Sequence, residues 1–280
     1  MDTSTDKRDE LIRFLLPQAQ TRGAMIRGQH IFHEACRIHG LSGPIAELFG
    51  QSLLASVLLL SVNKGGVRQV LQLDAMPELI QTPIERMLAE TSNGEVRGYI
   101  SWREGSAAMQ HGDGHNLSDW MGRPIRLSTV RDLGIGQPYI STIENDSDYL
   151  ADHLVHYLQQ SVQTRADIVI AGDLAILIEA MPGCEDELWF DAVKALASIP
   201  NEKLLTDTTE QLLGNFSGLG CQQVESDFYA YRCPCTAEKM KQAIESIPVE
   251  SILELADENG KVRISCQYCD KFYEVDAPAS

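Results

Sequence analysis

Cys233-Pro234-Cys235 and Cys266-Gln267-Tyr268-Cys269 stand thirty residues apart near the end of the chain. Each pair sits in a turn short enough to present two thiolates from one side. Two such turns facing each other build a tetrahedral sulfur cage, which suits zinc. All four positions would be filled by protein, with none left open for water. The spacing therefore argues for a structural or redox Zn2+, one per chain, held by Cys233, Cys235, Cys266 and Cys269, and against a hydrolytic metal. An iron–sulfur cluster is the alternative, but Cys-x-Cys is tight for one.

A metal held by residues 233–269 implies a small domain around it. A segment of about 49 residues, 232–280, is close to the size at which an apolar core alone rarely suffices. Structural zinc supplies about 10–16 kcal/mol of apparent binding energy, against about 5–15 kcal/mol for the net stability of an ordinary domain. Losing the metal is thus expected to unfold this segment. Oxidation would have that effect, because a disulfide sulfur no longer offers a thiolate.

The rest of the chain sets the context. It has 280 residues, 44% of them apolar and 22% charged, enough for a sizeable core and against wholesale disorder. The net charge of −17 opposes nucleic-acid and anionic-membrane partners. The longest uncharged stretch, 48–63, is shorter than the roughly 20 residues of a bilayer span and reads as a buried amphipathic helix. The first fifteen residues mix Asp, Lys, Arg and Glu and do not resemble a secretory signal. These features point to the cytoplasm, where clustered cysteines are metal ligands or redox groups more often than structural disulfides.

Charge and pattern divide the chain into residues 1–181, 182–231 and 232–280. The middle part is the most charged for its size, with 2 basic and 9 acidic groups. The first part reads as mixed α and β. A helix is expected over 45–62 and strands over 67–74, 96–102, 125–130 and 138–143. Asn93-Gly94 is a hairpin signal. A helix over 148–160 and strands at 168–170 and 174–178 follow, with Gly172-Asp173 as the turn. Met181-Pro182-Gly183 marks a boundary. The second part, 184–231, reads as helical. One helix follows Glu185-Asp186-Glu187, with Leu188, Ala192, Leu196 and Ile199 on one face, and ends at Pro200. Another is expected from Glu202 to Leu213, stopping at Gly214. Such short helices need a surface to dock on. In the third part, Phe228 to Arg232 suits a strand, Thr236 caps a helix reaching Ile247, and 272–275 suits a strand after the second cysteine pair. The fold class is therefore α+β, with a mixed N-terminal domain, a helical linker and a small C-terminal zinc-binding domain.

With these residues in view, the chain resembles the redox-regulated 33-kDa heat-shock chaperone family, the 33 kDa chaperonins. That family carries Cys-x-Cys, about thirty residues, then Cys-x-x-Cys near the C-terminus. Arg22-Gly23, Leu71-Gln72-Leu73, Val96-Arg97-Gly98-Tyr99, the segment from Tyr157 to Thr164 and Met181-Pro182-Gly183 also fall where similar fragments fall in it. The sequence departs from the family at Asp74-Ala75-Met76-Pro77 and Ser161-Val162-Gln163. The resemblance implies a holdase chaperone that needs no ATP and is not an enzyme. The reduced form would be a zinc-bound monomer. Oxidation would pair Cys233 with Cys235 and Cys266 with Cys269, release zinc, unfold the C-terminal region and linker, and give a homodimer that binds unfolding clients under oxidative stress. Residues 182–231 suit this, since they combine apolar faces with strong negative charge.

Other groups carry less. Cys36 and Cys184 read as buried or incidental thiols, and Cys221 as a candidate late disulfide partner. His111-Gly112-Asp113-Gly114-His115 reads as a loop before it reads as a second metal site. His153 and His156 read as ordinary packing or surface residues. No zincin, P-loop or dinucleotide motif is present. Two competing functions remain. A thiol oxidoreductase would turn over a disulfide or peroxide with its domain folded. A zinc-ribbon interaction or nucleic-acid module is opposed by the acidity of the chain.

Overall fold

The structure is a computed structural model that describes residues 7–62, 65–106, 109, 111–245, 247–249, 252 and 255–276. The chain forms two units, residues 1–231 and 232–280.

The apolar run after Gly43 becomes the centre of the first unit. Helix α2 (Pro44–Val62) follows α1 (Gln29–His39), and fourteen of its residues are buried. It is buried on nearly every side, so the burial expected of it is present, while it has too little exposed face to be amphipathic. It is long and apolar enough to cross a membrane by composition, yet most of it lies packed inside this unit. It packs against β2 (Thr21–Arg27), β3 (Arg68–Ala75), β4 (Ile84–Ser92), β5 (Glu95–Trp102) and β9 (Leu174–Ala180). The remaining strands of the unit are β1 (Asp9–Leu16), β6 (Ile125–Asp132), β7 (Tyr139–Asn145), β8 (Ala166–Ala171) and β10 (Gln222–Tyr231). They form one sheet in the order β7-β6-β3-β4-β5-β10-β1-β2-β9-β8. Neighbours are antiparallel except β5 and β10, which run parallel at Glu95–Ala230 and Val96–Tyr231.

Local chemistry sets these joints. Asn93 and Gly94 both take positive φ, 51° and 75°, as a two-residue hairpin turn between β4 and β5 demands. A Cβ on Gly94 would sit 2.9 Å from the Phe228 carbonyl, so glycine also admits β10 to the sheet. Asp9 reaches from β1 to accept the His30 and Ile31 amides at 3.1 and 2.8 Å, capping α1 from a distance. Tyr231, the last residue of β10, donates to the Gly98 carbonyl at 2.9 Å.

The half-sheet β10-β1-β2-β9-β8 is covered on both faces. On the α2 side lie Leu11, Ala24, Ile26, Ala175 and Leu177, together with Leu154 and Tyr157 of α4 (Leu150–Tyr157). On the other side lie Phe14, Leu16, Met25, Leu174, Ile176 and Ile178. That second face is covered by α5 (Asp186–Ala197), α6 (Asn201–Thr206), α7 (Thr209–Leu213) and the 3-10 turn Gly214–Leu219. Ala192, Leu196, Ile199, Leu204, Leu212 and Phe216 are their buried contacts. Phe216 stacks on Phe14 with ring centroids 5.5 Å apart. Burial on both faces explains why β9 reads as a continuous apolar run. Residues 182–231 thus lie within the first unit. The expected face of α5 is present: Ala192, Leu196 and Ile199 are buried and Leu188 is half-buried.

Four expectations need correction. Residues 202–213 form two helices. Asp207 is extended, and Thr208 opens α7 with a capping box, accepting the Gln211 amide at 3.3 Å while Gln211 accepts the Thr208 amide at 2.8 Å. The chain does not stop at Gly214 but turns on to Gly220, whose φ is +72°. Residues 222–227 are strand, not helix, and they continue into the strand expected from Phe228, which ends at Tyr231. The strands β1 and β2 and the helix α1 were not anticipated. A helix over 148–160 is also too long, since α4 ends at Tyr157 and passes into a π-turn, Leu158–Val162.

The second unit contains α8 (Ala237–Glu245) and the hairpin β11 (Lys261–Ser265) and β12 (Phe272–Asp276). Its buried aliphatic cluster among the described residues is Ile244, Ile252, Val262 and Val275. The helix expected to reach Ile247 is described as far as Glu245; residue 246 lies outside the described residues.

Candidate metal centre

The two cysteine pairs are placed by two local structures of the second unit. Cys233-Pro234-Cys235 leads directly into α8. Thr236 caps that helix, its hydroxyl accepting the Lys239 amide at 3.3 Å and its carbonyl accepting the Met240 amide at 3.0 Å. The Lys239 ammonium donates to the Pro234 carbonyl at 2.8 Å, bracing the turn between the two thiols. The second pair occupies the tip of the β11–β12 hairpin, whose last paired residues are Ser265 and Phe272. There the Cys266 amide donates to the Lys271 carbonyl at 2.9 Å. The Cys266 carbonyl accepts from Cys269 and Asp270 at 3.2 and 2.8 Å. Asp270, at φ +55°, reverses the chain after Cys269.

These turns bring the four sulfurs together. All lie within 4.8 Å of one another. Cys233 and Cys266 are 3.7 Å apart, and Cys235 and Cys269 are 3.2 Å apart. A zinc ion with bonds of about 2.3 Å to four tetrahedral sulfurs sets them about 3.8 Å apart, so the cage has the size for one such ion. A cluster of several irons would spread its cysteine sulfurs further. The donor set and the separations therefore fit a single thiophilic ion. Cys266 is buried and the other three are half-buried, leaving the cage within reach of a small solute.

The thiols differ in electrostatics. Burial opposes ionisation of Cys235, but hydrogen bonds from Tyr273 and the other three thiols outweigh it and hold Cys235 at about 7. Burial and then the neighbouring cysteines push Cys266 and Cys269 up. The hydroxyl of Tyr273 lies 3.0 Å from the Cys235 sulfur and 3.2 Å from its carbonyl oxygen. That contact pushes the Tyr273 phenol up to about 12. Tyr273 was not singled out in the sequence. Its signal is the spacing Cys-x-x-Cys-x-x-x-Tyr, which returns the ring along the hairpin to the cage.

The other candidates do not join a metal site. Among the described residues, the four cysteines are the one group of three or more His, Cys, Asp or Glu side chains placed to share an ion. None of the seven cysteines is in a disulfide. Cys184 is buried and its thiol points at the Ala19 carbonyl, 3.5 Å away. Burial pushes Cys36 and Cys221 up. His111 pairs with the Ser42 hydroxyl at 2.7 Å, and the backbone amide of His115 donates to Asp119, which helps cap α3 (Leu117–Met121). His153 is buried, with Nε2 2.9 Å from the Ser147 carbonyl, and burial lowers its pKa.

Comparison with known proteins agrees with this architecture. The family model described as Hsp33 protein matches residues 9–276. The 33 kDa chaperonin of Pelobacter propionicus is 27% identical, covering 96% of this chain and 91% of that protein. The protein of the same name from Bacillus subtilis is 25% identical, covering 95% and 94%. The crystal structure of the 33 kDa chaperonin (heat shock protein 33 homolog) of Thermotoga maritima superposes with a TM-score of 0.77. It covers 96% of this chain and 95% of that one, at 20% identity, and so supports the fold. With a family match spanning nearly its whole length, the chain belongs to the Hsp33 protein family, and that membership supports a chaperone role.

Proposed function

We propose that the chain is a redox-switched holdase chaperone, neither an enzyme nor dependent on ATP, acting on unfolding proteins in the cytoplasm under oxidative stress. The observation that carries this reading is the four-sulfur cage in a unit whose described residues bury little else. Cys233, Cys235, Cys266 and Cys269 would hold one Zn2+. Bound there, the ion would supply a structural cross-link between α8 and the β11–β12 hairpin. Peroxide oxidises the thiols in pairs, Cys233 with Cys235 and Cys266 with Cys269. For each disulfide, two thiols give up two electrons and two protons, and one peroxide becomes two waters. The oxidised sulfurs no longer offer thiolates and cannot hold the metal. Each disulfide closes a loop of very few residues and restrains the chain little, so residues 232–280 unfold.

Residues 182–231 are the linker in this reading. Helices α6 and α7 have six and five residues, too short to persist away from their docking surface. Their release uncovers Phe14, Leu16, Met25, Leu174, Ile176 and Ile178, an apolar face suited to exposed apolar segments of a client. The freed segment, with 2 basic and 9 acidic groups, would keep the open form soluble. The open form pairs as a homodimer, whereas the reduced form is a monomer. Neither nucleic acid nor membrane is a partner in this reading.

The test is light scattering from a chemically unfolded client diluted into buffer with the full-length protein. Suppression by peroxide-treated protein, and little by the reduced zinc-loaded form, is the expected result. Equal suppression by both forms, or none by either, removes the redox switch.

A further inference from the structure

We propose that Tyr273 is a positioning residue of the cysteine cage: its hydroxyl donates to the Cys235 sulfur, restrains the reactivity of that sulfur and so sets how readily the cage is oxidised. This rests on the reading of the cage as a metal centre. Tyr273 lies on β12, paired with Ile264 of β11, one turn beyond the cysteines at the hairpin tip. Its hydroxyl is 3.0 Å from Cys235 Sγ and 3.2 Å from the carbonyl oxygen of the same residue. A phenol has one proton to give. A thiolate has none, so with Cys235 ionised the tyrosine is the donor, and the charged sulfur is the stronger of its two acceptors. The second contact keeps the hydroxyl at Cys235 when the sulfur moves.

A hydrogen bond to a thiolate draws charge from it, and nucleophilicity falls with it. The step affected is attack of the Cys235 sulfur on peroxide. A sulfur–oxygen bond forms, the oxygen–oxygen bond breaks, sulfur loses two electrons, and the departing hydroxide takes a proton to become water. The Cys233 sulfur then displaces the hydroxyl from the sulfenic acid. The sulfur–sulfur bond forms, the sulfur–oxygen bond breaks, and the departing hydroxide takes a proton from solvent to become a second water. Removing the Tyr273 hydroxyl speeds the first step. Partners of metal ligands commonly change metal affinity or activity about 10–100-fold, so an effect near the lower end is expected.

The experiment uses the full-length, reduced protein and its Tyr273→Phe variant, each loaded with cobalt and, separately, with zinc. The cobalt form of the variant should keep the ligand-field bands of a tetrahedral tetrathiolate, with its sulfur-to-metal charge-transfer band moved to lower energy. The zinc form should release metal to a colorimetric chelator about tenfold faster in excess peroxide. Replacing Tyr273 by 4-aminophenylalanine, which keeps a weaker donor, should restore part of both properties. An unmoved band with an unchanged release rate overturns the proposal. So does a Tyr273→Phe protein that takes up no metal and is not restored by 4-aminophenylalanine, which would make Tyr273 a packing residue. Wild-type protein that binds neither ion overturns the metal-centre reading, and this proposal with it.

Discussion

Residues 7–231 wrap ten strands around helix α2 and bury dozens of apolar side chains, whereas the described part of residues 232–280 buries four aliphatic side chains beside four cysteines. The first unit is held by apolar area, which no small solute removes in one step. The second has few buried apolar groups among its described residues and gathers four sulfurs that could share one ion. Between these extremes lies the cover of the first unit, α5 to Leu219, which docks by apolar contact but is built from short helices. In the proposed function, the second unit opens first, the cover follows it, and the rest of the first unit stays folded.

The comparison breaks most decisively at the metal. Chelation of the zinc-loaded protein should forfeit about 10–16 kcal/mol of apparent binding energy and unfold residues 232–280, and Cys266→Ser should weaken metal binding and bring the same unfolding at lower chelator concentration. Amide dispersion in NMR spectra should collapse for the second unit and persist for α2 and the strands packed on it. Loss of both units together, or of neither, would show that the two do not differ in this way.

The cover is the next weakest point. Phe216→Ala removes the ring stacked on Phe14 and should cost about 3–5 kcal/mol of docking. Hydrogen exchange over 186–219 should quicken while α2 stays protected, and client scattering should fall without any oxidant. A smaller effect is expected at Arg27. Its guanidinium pairs with Asp173 at 2.5 Å and donates to the Leu204 and Asp207 carbonyls at 2.7 and 2.8 Å, tying the end of α6 to the sheet. Arg27→Ala leaves those acceptors unpaired and should cost about 1–3 kcal/mol, read as faster exchange confined to 201–207.

The smallest effect is a pH dependence within the first unit. Burial works against the Glu90 carboxylate, but Arg68 and Arg97, at 2.7 and 3.1 Å, hold it below its ordinary 4.5. A depressed folded value means the stabilisation is present above 4.5 and is lost as pH falls through the folded value. Glu90→Gln should therefore lower the urea midpoint at neutral pH and flatten its fall between about pH 6 and pH 3. Parallel curves for the two proteins would remove Glu90 from the acid response.

Signals carried by neighbours in sequence survived into the structure. The cysteine spacing predicted a cage, and the structure draws the four sulfurs together. Asn93-Gly94 makes its hairpin, Thr236 caps its helix, and the apolar face of α5 is buried. These depend on geometry within a few residues, or on a side-chain type with few uses. What the chain alone left hidden depends on distant partners. β1 and β2 carry Arg13, Arg22 and Arg27 among their apolar residues, and their strand character comes from pairing with β10 and β9 far along the chain. Residues 222–225 are exposed and three of the four are polar, so only the β1 ladder makes them strand. The break after Thr206 follows from the Thr208 capping box, which outcompetes a continuous helix of suitable period.

By itself the sequence determined an acidic α+β chain ending in a four-cysteine cage, because composition and close spacing need no fold to be read. Only the tertiary structure decided which strands pack around α2, that 186–219 covers an apolar sheet face, and that Tyr273 reaches Cys235. Each of these is a contact between segments whose separation along the chain carries no information about their distance in space.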